Sequence, residues 1–339
     1  MSTISKGSNH FGVLTYTGDG SASRTIVDTN AVSFQPDFVW VKGRSGATDH
    51  ALYDAVRGTT KDLVSNSTAA ETTQSTGLTG FVNGGFTVGN LAKMNTSGAT
   101  YVAWCWKAGN STSSNTSGSI TSTVSVNTTA GFSIVTYTGT GANATVGHGL
   151  GVAPAMIIVK RRSGAEAWGV YHRSLGATQA INLELTVAAY TYAIAWNNTA
   201  PTSSTFSLGT WAAVNSSGGT FVAYCWAEIA GFSRFGSYTG NGSTDGPFVY
   251  TGFRPEFIMY KRTDATQSWI LMDTSRSPFN VADKFLLANA SDSEYTGAIL
   301  DILSNGFKVR EAGTQTNANG GTYIFMAFAE NPFKISNAR

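Results

Sequence analysis

The stretch Tyr101-Val102-Ala103-Trp104-Cys105-Trp106 decides the fold class. It returns as Phe221-Val222-Ala223-Tyr224-Cys225-Trp226 and again as Tyr323-Ile324-Phe325-Met326-Ala327-Phe328. Each copy is apolar at nearly every position and rich in aromatic and β-branched residues. That pattern predicts a strand buried on both faces. Each copy follows a turn of the same chemistry: Asn95-Thr96-Ser97-Gly98, Asn215-Ser216-Ser217-Gly218-Gly219 and Asn317-Ala318-Asn319-Gly320-Gly321. Asn and Gly supply positive φ, and Ser and Asn bond the local backbone.

Other landmarks recur at the same interval. Tyr16, Tyr137 and Tyr238 sit in matching openings, Thr-Tyr-Thr-Gly in the first two and Ser-Tyr-Thr-Gly in the third. Pro36, Pro154 and Pro255 lead into the apolar runs 38–42, 155–159 and 257–260. Proline suits the approach to a strand and not its middle. Phe81–Val88 reads as a hairpin with an Asn83-Gly84 turn, and Leu303–Val309 as the matching hairpin of repeat three. A period near 100 residues implies repeated whole domains and not a solenoid of short units. The expected fold is therefore all-β, with three tandem antiparallel β-sandwich repeats of jelly-roll or lectin-like type. Repeat one is expected within 1–109, repeat two at 131–230 and repeat three at 231–339. Residues 110–130, dominated by Ser, Thr and Asn, read as a linker. Thr186–Ala195 is Ala-rich, but its alternating aromatics read as strand or irregular chain.

Composition narrows the function classes. Charged residues make up 12% of the chain and the net charge is +2, so no basic face for nucleic acid is expected. No apolar run reaches the roughly 18–20 residues of a membrane span, and the first ten residues lack the apolar core of a signal peptide. Neither membrane insertion nor export is therefore expected. The two cysteines, Cys105 and Cys225, occupy equivalent positions where repeat three has Ala327. Small buried thiols explain that exchange better than a bridge.

The search for chemistry yields few candidates. The four histidines do not pair at metal-ligand spacing, no nucleophile elbow or phosphate-binding loop occurs, and no cofactor or metal is expected. Asp49-His50 reads as an exposed loop pair, because Trp168 and Trp269 replace the histidine in the other repeats. Asp54 and Arg57 recur as Asp273 and Arg276, with His172 at the acidic position of repeat two. An acid and a cation three residues apart after a strand read as a turn clamp held by charge-assisted bonds. The basic endings Lys42-Gly43-Arg44, Lys160-Arg161-Arg162 and Lys261-Arg262 read as solvated strand ends. Trp168, Trp211 and Trp269 are the candidates for stacking on a sugar, against the alternative that they fill the cores.

Taken together, residues 36–42, 52–58, 101–109, 148–154 and 303–308 resemble a family of tailed-bacteriophage virion proteins with SPRY-like or tail-fibre-type repeats, found in marine and cyanobacterial phages. The resemblance covers Phe11 to Phe333 and carries no catalytic residue. It implies a non-enzymatic structural protein of the virion, assembled in the bacterial host cytoplasm and exposed on the particle as a capsid decoration or a tail-fibre component. The partners expected are further copies of the chain, as a homotrimer, and other capsid or tail proteins. Repeat one is expected to carry one attachment and the C-terminal pair another. The rival reading is a carbohydrate-binding module or lectin that recognises a host surface glycan. A glycan hydrolase ranks last, because no acidic pair recurs.

Overall fold

The computed structural model describes residues 4–332. The fold is all-β and antiparallel, and the α-helical pieces among the described residues are single turns such as Ala92–Asn95, Ala212–Asn215 and Thr314–Asn317. Three sheets share one strand order. In the first segment the closing strand Thr100–Trp106 lies between the opening strand Phe11–Thr17 and the proline-led strand Phe38–Gly43, with Ala51–Asp54 outside the latter. In the second, Thr220–Trp226 lies between Phe132–Thr138 and Met156–Arg161, followed by Trp168–His172. In the third, Thr322–Ala329 lies between Ser233–Thr239 and Pro255–Arg262, followed by Trp269–Asp273. The registers coincide: Tyr16 opposes Tyr101, Tyr137 opposes Phe221 and Tyr238 opposes Tyr323. These three ring pairs stack with centroids 5.0, 5.2 and 4.6 Å apart.

The closing strands are apolar throughout because both of their faces are buried. Tyr101, Ala103 and Cys105 point into a core with Leu14, Val39, Phe86 and Val88. Phe221, Ala223 and Cys225 do the same with Phe206 and Leu208. The alternate residues Val102, Trp104 and Trp106 point the other way, into a core shared by all three segments. There Phe38 stacks on Tyr224 at 4.2 Å, Phe11 on Phe328 at 4.9 Å, and Trp106 meets Trp226 and Phe257 edge-on. Truncating one such ring to alanine costs about 3–5 kcal/mol. Cys105 and Cys225 are free and fully buried, and burial pushes both thiols far up.

Residues 110–130 are not a linker. Ser113–Asn115 and Ser122–Asn127 are strands, and the second pairs with the opening strand, Thr123 against Thr136 and Val124 against Val135. Hydroxyl-rich composition hid a short strand whose Val124 packs in the second core. The shared core likewise leaves the first segment no freedom to dock apart from the other two. Thr186–Ala195 splits into a two-residue strand, Tyr190–Thr191, and the start of a helical turn, Ala193–Trp196.

Candidate functional site

Polar residues that recur along the chain gather at the three joints around the shared core. At the joint of the first and second sheets, Asp54 follows its strand and caps its own turn, with Oδ1 accepting from the amides of Val56 (3.1 Å) and Arg57 (2.8 Å). Its Oδ2 accepts from Arg57 Nε and, across the joint, from the Tyr224 hydroxyl at 2.8 Å. Arg57 also reaches Glu71 at 3.1 Å, and Arg162 of the second sheet grips the same Glu71 through two bonds of 2.8 and 2.9 Å. Burial pulls the Arg57 guanidinium down, but Asp54, Tyr224 and Glu71 outweigh it and hold it above its ordinary range. Burial likewise opposes ionisation of Glu71, yet the two arginines keep it below the usual carboxylate range.

The joint of the third and first sheets repeats this set. Asp273 Oδ1 accepts from the Arg276 amide (2.9 Å) and Oδ2 from Arg276 Nε (2.7 Å). Across the joint, Trp104 Nε1 donates to Asp273 Oδ2 at 3.1 Å. Glu294 receives Arg276 at 3.1 Å and Arg44 at 2.9 Å. Both clamps do serve their own turns, and each also ties its sheet to the next.

The joint of the second and third sheets has lost every charge of the set. His172 stands for the aspartate, Leu175 for the arginine, Ala189 for the glutamate and Thr263 for the arginine across the joint. The Ala189 amide still bonds the Thr263 carbonyl, as Glu71 bonds Arg162 and Glu294 bonds Arg44. His172 Nδ1 accepts from the Ser174 amide at 3.2 Å, so Nε2 carries the proton and donates to the Phe325 carbonyl at 3.1 Å. Burial lowers this imidazole to about 4.

Two sets of residues differ from their expected places. His50 is not in an exposed loop. It is buried, accepts from Trp40 Nε1 at 2.8 Å and donates through Nε2 to the Leu287 carbonyl at 2.9 Å. Trp168 and Trp269 do the same at their joints, their Nε1 atoms donating to the carbonyls of Val64 (3.0 Å) and Asn182 (2.8 Å). With exposures of 0% and 1%, neither tryptophan offers a face to a sugar. Trp211 is half-buried and packs edge-on against Tyr192. Lys42, Lys160 and Lys261 are buried and not solvated strand ends. Each ammonium reaches a carbonyl across a joint: Asp292 (2.7 Å), Thr68 (3.0 Å) and Thr186 (3.2 Å) respectively. Burial brings all three down to about 8. Amines so lowered serve as nucleophiles where a substrate can reach them, but these are buried, Lys42 held by three carbonyl oxygens and Lys160 and Lys261 by two each.

The turn asparagines also have a role that the sequence did not reveal. Buried Asn95, Asn215 and Asn317 accept from the amides of Asp19, Thr140 and Asn241 at 3.0, 2.8 and 2.7 Å, and so fix the loop after each opening strand. Their recurrence was the available signal.

Among the described residues, no three of His, Cys, Asp and Glu gather at metal-binding distance. A cleft of about 410 Å³ opens at the third sheet, with Phe248 and Tyr250 exposed on its rim beside Arg173 and Arg234. Both arginines pair with the one Glu228, which leaves a net positive charge beside the opening. The arrangement as a whole can hold three sheets in one body, with this polar-rimmed aromatic cleft open at the third sheet.

No curated protein and no solved structure matches the chain. The family model described as "Domain of unknown function (DUF7483)" matches residues 6–332, and the chain belongs to that family.

Proposed function

We propose that this chain is a non-enzymatic structural protein of a bacteriophage virion, exposed on the particle as a capsid decoration or a tail-fibre and adhesion component. It is built as three copies of one β-sandwich repeat around a common core. The observation that carries this reading is where the recurring polar residues go. Asp54–Arg57, Asp273–Arg276, the three lysines and the His50, Trp168 and Trp269 ring nitrogens are all engaged in joints. Chemistry that recurs and is buried in joints serves architecture. Homotrimerisation and attachment to other capsid or tail proteins belong to the same proposal. The test is immunogold labelling of purified particles together with a deletion of the gene. Labelled particles, and loss of stability or adsorption on deletion, are expected. Unlabelled particles that assemble and adsorb normally without the protein would sink the reading.

A second reading, recognition of a host surface glycan, has one specific observation behind it. Phe248 and Tyr250 are 45% and 62% exposed at the rim of the cleft. On this reading they, and not Trp168 or Trp269, would stack on a sugar. An array of bacterial surface glycans probed with wild type and Tyr250→Ala tests it, and binding that the variant loses is the expected result.

A further inference from the structure

The third sheet has eight strands, and its two outermost are the opening strand Ser233–Thr239 and the strand Phe248–Tyr250. Both line the same cleft. The sheet therefore curls almost into a barrel and stays open along this seam.

Backbone geometry shows what the seam lacks. The Val309 amide donates to the Pro247 carbonyl, and Val249 lies opposite Phe307. By alternation, the backbone groups of Phe248 and Tyr250 turn away from that neighbour and towards the cleft. On the other wall Phe235 faces the cleft: its amide donates to Glu228 at 3.1 Å and its carbonyl accepts from Arg173 at 2.7 Å. Ser237, two residues on, shares that direction but has no such cap among the described residues.

The second segment shows the same seam filled. Its equivalent walls are Phe132–Thr138 and Ala144–Gly147, and residues 119–124 cross between them. The Ile120 amide donates to the Thr145 carbonyl at 3.0 Å, Ser119 Oγ accepts from the Thr145 amide at 2.8 Å, and Ser122 Oγ donates to the Gly147 carbonyl at 2.8 Å. Thr123 then pairs with Thr136. By register Thr145, Gly147 and Thr136 correspond to Phe248, Tyr250 and Ser237. Among the described residues the third segment has no such filler, because only 227–232 separate its opening strand from the end of the second sheet.

We propose that this seam is an acceptor for an extended strand of another polypeptide. The donor has the chemistry of residues 119–124: small hydroxyl side chains for the strand ends, with β-branched residues facing the floor of Tyr238, Val249 and Phe325. Main-chain bonds to Ser237, Phe248 and Tyr250 supply the recognition, as in β-strand addition. The inference does not depend on where in a particle or cell the protein resides.

The test adds a fluorescent peptide of the chain's own residues 117–126 to the full-length protein and follows anisotropy and amide hydrogen exchange. Saturable binding is expected, with exchange slowed at 237 and 248–250. A peptide carrying Ile120→Pro is expected to bind at least about tenfold more weakly, as is the protein variant Ser237→Pro, since each loses a main-chain donor. If Ser237→Pro does not fold, the exchange pattern of the wild-type chain decides. No saturable binding at millimolar peptide overturns the proposal, as does protection elsewhere. Glycan binding that Tyr250→Ala abolishes, without peptide binding, assigns the cleft to sugars instead.

Discussion

The Tyr224 hydroxyl donates to Asp54 Oδ2 at 2.8 Å from the far side of a joint, 170 positions along the chain. Trp104 takes the same place towards Asp273, at 3.1 Å. The carboxylate that caps one sheet's turn is therefore also the acceptor for the next sheet's closing strand. Both side chains of each pair are buried, so each link is made without competition from water.

Asp54→Ala is expected to destabilise the protein by about 3–5 kcal/mol, because it leaves the Arg57 guanidinium buried without its main partner. The second segment holds a charge-free solution at the same place, His172 with Leu175. The double change Asp54→His with Arg57→Leu should therefore recover about 1–3 kcal/mol of that loss. Urea denaturation of the three proteins measures both. An Asp54→Ala variant as stable as wild type that no longer attached to host cells would reassign the clamp to binding.

His172 gives stability a pH dependence whose sign is fixed by its burial. Its folded value of about 4 lies below the unfolded value of about 6.5, so the unfolded chain binds more protons between the two. The contribution is complete above about pH 6.5 and is lost as pH falls towards 4. His50, lowered to about 3 by burial and by the Lys42 charge, acts in the same direction. Asp37, raised to about 6 by burial, opposes both over the acid range. Comparison with His172→Gln isolates the one group: between pH 7 and pH 5 wild type should lose roughly 2 kcal/mol more than the variant. Equal losses in paired urea titrations would show that His172 is not neutral in the folded protein.

Residues 1–109 expressed alone should not fold cooperatively. One face of their sheet carries Phe11, Phe38, Trp104 and Trp106, all buried here against the other two segments. Aggregation, dye binding to exposed apolar surface and a weak near-ultraviolet signal are the expected outcomes. A soluble monomer with a sharp unfolding transition would mean that the shared core is dispensable to the first sheet.

How much of this was legible follows from which physics is local. The closing strands, the proline-led strands and the hairpins at Phe81–Val88 and Leu303–Val309 were readable because each is set by propensity and turn chemistry within about ten residues. Their recurrence pointed to one pattern used three times, the order of strands within each sheet came from the pairings alone, and the exchange of Cys for Ala marked a buried position. The clamps were readable too, since Asp54 and Arg57 are only three apart. Everything that joins the sheets was not. The buried lysines, His50, Trp168 and Trp269 look like strand ends, loops and surface aromatics until a neighbouring sheet supplies the carbonyl that receives them. Residues 122–127 look like linker until an opening strand offers an unpaired edge. By itself the sequence determined the recurring strands and the two-sided burial of each closing strand, because apolar patterning and turn chemistry act along the chain. Only the tertiary structure decided what covers the second face, which charges are buried and which seam stays open, because those depend on contacts between sheets: the three buried lysines reach carbonyls 75, 92 and 250 positions away.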